Sequence, residues 1–225
     1  MADIRHIKDL AKKLNLQNIA KGKVSLDVGS MKPLDFLEDV LINEIECRRI
    51  ARIKRLKKQS RLPKKKFKRE KLDKGLLWQI DNIEKLEFIK NFNNIIITGD
   101  CNKGKTSLIS EIGDMALDNG YGVVYHTLTT YLDVIKYYYN GRQMPSEYKV
   151  IKSSDIVIID DFLYSKISDL DLELLYKSII SLNDVTSFIF ISNRKISEFV
   201  AANSDIHLMK TFIERIKKNS HIINL

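Results

Sequence analysis

Residues 95 to 107 read Ile-Ile-Ile-Thr-Gly-Asp-Cys-Asn-Lys-Gly-Lys-Thr-Ser, and Gly99, Gly104, Lys105 and Thr106 fall in the G-x-x-x-x-G-K-[ST] spacing of a phosphate-binding loop. The flanks agree. Ahead lies a short β-branched run, Ile95 to Thr98, suited to a buried parallel strand; behind it Leu108, Ile109, Ile112, Met115 and Ala116 recur at helical spacing until Asn119-Gly120 ends the pattern. A strand–loop–helix of this kind curls successive backbone N–H groups around one centre, at the positive end of a helix. The segment Gly99, Asp100, Cys101, Asn102, Lys103, Gly104, Lys105, Thr106 and Ser107 is therefore assigned to nucleotide phosphates. Lys105 would reach the β- and γ-phosphates of ATP, and the Thr106 hydroxyl would join the shell of Mg²⁺. The competing reading is a chance match on a glycine-containing turn.

A second stretch answers the first. Ile156-Val157-Ile158-Ile159-Asp160-Asp161 is an apolar β-branched run ending in two carboxylates. Such a run marks a strand buried on both faces, and the C-terminal edge of a parallel sheet is where ligands bind. In this Walker B pattern Asp160 is the expected metal carboxylate, acting through water, and Asp161 the base or water-positioning group. Alone, the pair could simply cap the next helix; with a phosphate loop upstream the catalytic reading takes precedence. Ser187-Phe-Ile-Phe-Ile-Ser-Asn193 is another buried strand, and Asn193 at its end could orient an attacking water or cap a helix.

Around these runs strand and helix alternate from about Leu72 onward: Val123 to Thr127 as strand, about Thr129 to Asn140 as helix, Asp169 to Leu182 as helix, about His207 to Asn219 as helix, and His221 to Leu225 as a last strand. That alternation predicts an α/β domain, a parallel sheet covered on both faces. Trp78 is read as core or as the wall of an adenine pocket, and Tyr137-Tyr138-Tyr139 either stack on bases or pack against a neighbouring helix. The four histidines show no ligand spacing.

The chain of 225 residues, 44% hydrophobic, can bury one full-sized core and spare residues for a small accessory domain. It holds no apolar run near the roughly 20 residues of a membrane span and no signal peptide. Cys101 inside the phosphate loop would block the site if disulfide-bonded, which implies a reducing compartment; the expectation is a cytoplasmic protein with no membrane partner.

The net charge of +9 is local. Between Arg48 and Lys74 stand 15 basic and two acidic residues, a block of +13, whereas the remainder nets −4. Upstream, Ile4 to Leu16 predicts a short helix, and Pro33 opens a long one with Leu37, Val40, Leu41 and Ile45 on one side. Its far end carries Arg48, Arg49, Arg52 and Arg55, and Pro63 stops it. Lys64, Lys65, Lys66, Lys68 and Arg69 continue the charge in an extended connector, with Phe67 as a stacking group. The block reads as a DNA-binding surface, the alternative being a solvated helix face and linker. The expected organisation is a helical N-terminal domain (1–60), a basic connector (61–71) and an ATPase domain (72–225).

Taken together the chain resembles the IstB-like insertion-sequence transposition helper ATPases, which are similar to DnaC-type helicase loaders within the AAA+ class. The resemblance rests on Gly99-x-x-x-x-Gly-Lys-Thr106, Ile-Ile-Asp-Asp161, Ile-Ser-Asn-Arg194 followed by Ile-Ser-Glu-Phe199, Ile-Glu-Arg215 leading to His-Ile-Ile-Asn224, and Phe36 to Leu41 with the trailing Arg49-x-x-Arg52. It implies a three-layer P-loop NTPase of AAA+ type that hydrolyses ATP with Mg²⁺ and forms an ATP-dependent homo-oligomer on DNA; in a departure from the class, no C-terminal lid is expected. It further implies Asn193 as sensor and Arg215 as an arginine finger acting on a neighbouring subunit. The partner would be a transposase, or a replicative helicase if the chain is a loader.

Overall fold

The structure, a computed structural model, describes residues 4–27, 29, 32–70, 72–141, 145–163, 166–195, 198 and 206–225. Lys71 of the basic block and Ile196, Ser197 and Phe199 of the resemblance motif lie outside the described residues. Two compact units divide the chain, Met1–Arg55 and Leu56–Leu225.

In the first unit α1 (Ile4–Lys13), α2 (Gln17–Ala20) and the larger part of α3 (Pro33–Gln59) enclose a small core of Ala11, Ile19, Val24 and Val40, with Phe36 and Cys47 packed on it. Leu37, Leu41 and Ile45 do not share Val40's burial: all three are exposed. The reason is angular. Phe36, Val40, Glu44 and Cys47 are spaced by four, four and three residues and make one stripe, while Leu37, Leu41 and Ile45 each sit one position further round the helix. Glu44 is buried to 98% and stays paired, accepting from the Ile19 N–H (3.1 Å), Asn18 Nδ2 (3.3 Å) and Arg48 Nε (2.9 Å).

In the second unit, after the end of α3, come α4 (Lys74–Glu84), α5 (Glu87–Lys90), β1 (Asn94–Thr98), α6 (Lys105–Asp118), β2 (Val123–Thr127), α7 (Leu128–Tyr139), α8 (Ser146–Lys152), β3 (Ile156–Asp160), α9 (Asp169–Leu182), β4 (Ser187–Ser192), α10 (Ile206–Lys218) and β5 (Ser220–Asn224). The strands form one parallel sheet in the order β2-β3-β4-β1-β5. β1, β3 and β4 are buried along their whole length, as their unbroken apolar runs require. One face packs on α7, α9 and α10 through residues such as Tyr131, Leu175, Phe190 and Phe212, and the other on α4, α5 and α6 through Ile80, Phe88, Ile109 and Ile158. This is the three-layer α/β arrangement expected from the alternating pattern.

Trp78 is a correction. It is 68% exposed and belongs to neither the core nor the phosphate-loop groove. α4 buries Ile80 and Ile83 and packs Leu76 against the same layer, and a residue two places from Leu76 points away from that stripe. Among the tyrosines, Tyr138 stacks on Tyr148 with ring centroids 3.9 Å apart, so its ring is spent on packing.

Candidate functional site

The strand order decides what meets at the C-terminal edge. β4 lies between β1 and β3, so the loop after β1 and the carboxylates after β3 face each other across one intervening strand, a span of about 10 Å at the usual strand spacing. Asn193, one residue beyond β4, stands between them. A groove of about 510 Å³ opens there, lined by Cys101, Asn102, Gly104, Lys105, Thr106 and Ser107 on one side and by Asp160, Asp161, Asn193 and Tyr125 on the other; Pro63 and Lys65 close a third side. That volume falls within the range of small-molecule sites.

On the loop side, Gly104 caps α6 with φ of 90°, a conformation that costs a side-chain-bearing residue but not glycine. Lys105 follows as the first helical residue. It is 94% buried, and its Nζ donates to the carbonyls of Gly99 (2.7 Å) and Asp100 (2.6 Å). Burial lowers its pKa, and the acidic neighbours Cys101, Asp160, Asp100 and Asp161 work against that shift. Lys103 is exposed in the turn and lies outside the groove's lining, as do Gly99 and Asp100.

On the strand side, Asp160 accepts three hydrogen bonds. Thr106 Oγ1 donates to its Oδ2 at 3.0 Å, Tyr125 Oη donates to the same oxygen at 2.7 Å, and the Asp161 N–H donates to Oδ1 at 2.8 Å. Asp161 turns out of the strand direction with φ of 53°, a left-handed conformation that aspartate tolerates better than most residues. Its carboxyl is held above the usual range by partial burial and by Asp160, with Lys105 offsetting part of the rise.

The residues present fit a magnesium-bound triphosphate. Thr106 and Asp160 bring a hydroxyl and a carboxylate together, and hard oxygen donors are what Mg²⁺ takes. Backbone amides at the N-terminus of a 14-residue helix, with Lys105 beside them, suit phosphate oxygens. Tyr125 escaped the sequence reading. Only its β2–β3 register, Tyr125 opposite Ile158, brings its hydroxyl within reach of a carboxylate two residues further along β3.

The basic block divides by what it touches. On α3, Arg48 pairs with Glu44 and donates to the Asn15 carbonyl (2.6 Å), Arg49 pairs with Glu46 (3.1 Å), and Arg52 and Arg55 are exposed. Beyond α3, Lys64, Lys65, Lys66 and Lys68 are exposed, and Lys65 also lines the groove. Arg69 is half-buried in a cluster with Glu84, Glu111 (2.7 Å) and Asp81 (3.7 Å), which raises its pKa further and neutralises its charge within the fold.

Segment 57–69 also runs along α6. Lys57 pairs with Asp118 at the helix end (2.7 Å), Leu62 covers Gly113, Arg69 takes Glu111, and the Phe67 ring lies against Gly104 in the loop itself. Phe67 thus packs on the apolar layer beside α6. Arg215, on α10, donates to Tyr176 Oη (2.8 Å) and is not among the residues lining the groove of its own chain.

Comparison with known proteins places this geometry. A family model described as IstB-like ATP binding protein matches residues 9–225. An insertion-sequence IS21-like ATP-binding protein of Bacteroides fragilis is 26% identical over 238 residues, covering 100% of this chain and 90% of that one. An insertion-sequence IS5376 ATP-binding protein of Geobacillus stearothermophilus is 25% identical over 140 residues, 62% of this chain and 56% of its own length. Among solved structures, DnaI superposes with a TM-score of 0.61 at 13% identity over 74% of this chain and 95% of that one. The DnaC helicase loader gives 0.56 at 16% identity, over 66% and 87%. These structures share the fold.

Proposed function

We propose, from the premise that this chain belongs to the IstB-like ATP binding protein family, that it hydrolyses ATP with Mg²⁺, assembles on DNA as an ATP-dependent oligomer, and serves a partner transposase. One observation carries the reading: Lys105, Thr106, Asp160, Asp161 and Asn193, drawn from three separate stretches of sequence, line a single groove with Thr106 hydrogen-bonded to Asp160.

In this reading Lys105 leaves the Gly99 and Asp100 carbonyls to hold phosphate oxygens, and the loop amides orient the triphosphate. Thr106 and Asp160 would hold the metal, which when bound supplies charge neutralisation at the phosphates. Asp161 accepts a proton from, or orients, the attacking water, and its raised pKa makes it a somewhat stronger base than an ordinary carboxylate. Asn193 holds the same water from the β4 side. Arg215, which does not line its own groove, would complete the groove of a neighbouring subunit, so that ATP links assembly to turnover.

Arg52 and Arg55 on α3 and Lys64, Lys65, Lys66 and Lys68 beyond it are the cations proposed for DNA phosphates, with Arg48 and Arg49 adding to the same basic run. Arg69 is assigned to the fold instead, because its acidic partners already surround it.

Two measurements test the proposal. DNA affinity, read with and without ATP across a salt series, should fall steeply as salt rises; a flat response contradicts the basic surface. Pull-down with a transposase encoded beside this chain's gene should succeed in ATP. Capture of the replicative helicase in its place would make the protein a helicase loader.

A further inference from the structure

The main chain of Tyr125 is held on both sides. One side sits in the β2–β3 ladder opposite Ile158, and on the outer side its N–H donates to the carbonyl of Ser60 at 2.8 Å. Ser60 is itself buried to 98%, its Oγ donates to the Lys57 carbonyl (3.0 Å), and the same Oγ accepts from the Leu62 N–H (3.3 Å). The outer edge of β2 is therefore pinned by the turn that follows α3. From that fixed point the phenol reaches Asp160 Oδ2 at 2.7 Å. Thr106 donates to the same oxygen, and Oδ1 is engaged by the Asp161 N–H, so three donors fix the carboxylate.

We propose that Tyr125 is a positioning residue for the metal site: its hydroxyl fixes the plane and lone-pair direction of the Asp160 carboxylate so that this group meets Mg²⁺ without reorganising. The inference rests on reading the groove as a magnesium–nucleotide site. Asp160 has few lone-pair directions to give. A neutral donor on Oδ2 restricts rotation without adding charge, whereas a lysine in its place would compete with the metal electrostatically. A phenol keeps its proton across the working pH and so remains a donor to Asp160 Oδ2. Ser60 makes the placement firm, since a phenol on an unpinned edge strand would sample more than one reach.

The test uses the full chain and a fluorescent, non-hydrolysable ATP analogue. Tyr125→Phe keeps the ring and removes only the hydroxyl. The analogue is titrated in EDTA and then, at fixed analogue, with Mg²⁺; thermal unfolding in EDTA is followed in parallel. The expected result is an unchanged affinity in EDTA and a Mg²⁺ half-saturation raised by about 10-fold or more, the usual effect of losing a partner behind a metal ligand. A Mg²⁺ midpoint equal to wild type overturns the inference. Should Tyr125→Phe unfold earlier, general loosening would weaken binding in EDTA and in Mg²⁺ alike, so loss confined to the Mg²⁺ arm supports the proposal and equal loss in both arms rejects it. In an Asp160→Asn background the added Tyr125→Phe change should shift the Mg²⁺ response no further; a full additional shift also rejects it. If wild type itself shows no analogue binding, it is the nucleotide reading that fails, and this outcome is distinct from the others.

Discussion

Leu62 occupies the space that a side chain at Gly113 would need: a β-carbon there would come within 2.7 Å of Leu62 Cδ2. A glycine inside α6 thereby lets the segment after α3 lie flat along the helix that begins at the phosphate loop.

In an exposed helix interior Gly→Ala stabilises by up to about 1 kcal/mol. Here Gly113→Ala should instead destabilise, by about 1–2 kcal/mol, because the new methyl meets a packed leucine. Chemical denaturation checks the sign. The Leu62→Ala, Gly113→Ala double variant should be more stable than Leu62→Ala alone, a coupling that a generic effect on the helix would not produce.

Lys105→Ala should lower nucleotide affinity at least 30-fold, on the order of the 2 kcal/mol assigned to a charge-assisted contact. Asp161→Asn should leave binding near wild type while slowing hydrolysis by about 10²–10⁴-fold. Equilibrium titration and phosphate release separate the two variants; equal loss of binding in both would remove Asp161 from the chemistry.

Asp161 also predicts a pH trend. Its folded pKa is raised, so the ionised form is the one the fold disfavours, and its contribution to stability declines as pH rises from below the ordinary carboxylate range through the raised value. The gain in melting temperature from Asp161→Asn should therefore be larger at pH 7 than at pH 3.5.

His126 acts in the opposite sense. It is 97% buried, its Nε2 has no hydrogen-bond partner among the described residues, and burial together with Arg61 pushes its pKa down to about 4. The neutral ring favours the fold at pH above about 6.5, and this contribution is lost as pH falls towards 4, by up to about 3 kcal/mol. His126→Leu should flatten the denaturation midpoint over that window; an unchanged slope would show that other groups set the acid limit.

Arg215→Ala should spare nucleotide affinity, because Arg215 does not line the groove of its own chain, and should abolish turnover and ATP-dependent assembly. Light scattering with and without ATP reads this directly. An oligomer that still responds to ATP in the variant would rule out the finger role.

Much of the site was legible because its chemistry is local in sequence. The phosphate loop needs glycine at fixed offsets to curl the backbone, and a short β-branched apolar run ending in aspartates fits the C-terminal edge of a central strand. Side-chain direction on helices was less legible: Leu37, Leu41 and Ile45 are as apolar as Val40 yet exposed, and Trp78 stands in solvent. Apolar content says that a face exists, and only the packing partner says which way it turns.

The sequence by itself determined the parallel α/β fold, the phosphate loop, the paired carboxylates and a +13 block, since each depends on residue types at short spacing. Tertiary structure alone decided that Tyr125 holds Asp160, that Arg69 is consumed by Glu84 and Glu111, and that Lys65 borders the groove. Those facts depend on strand order and on where a segment without regular structure is laid down. Both are set by the summed packing of residues distant in sequence, which no local pattern records.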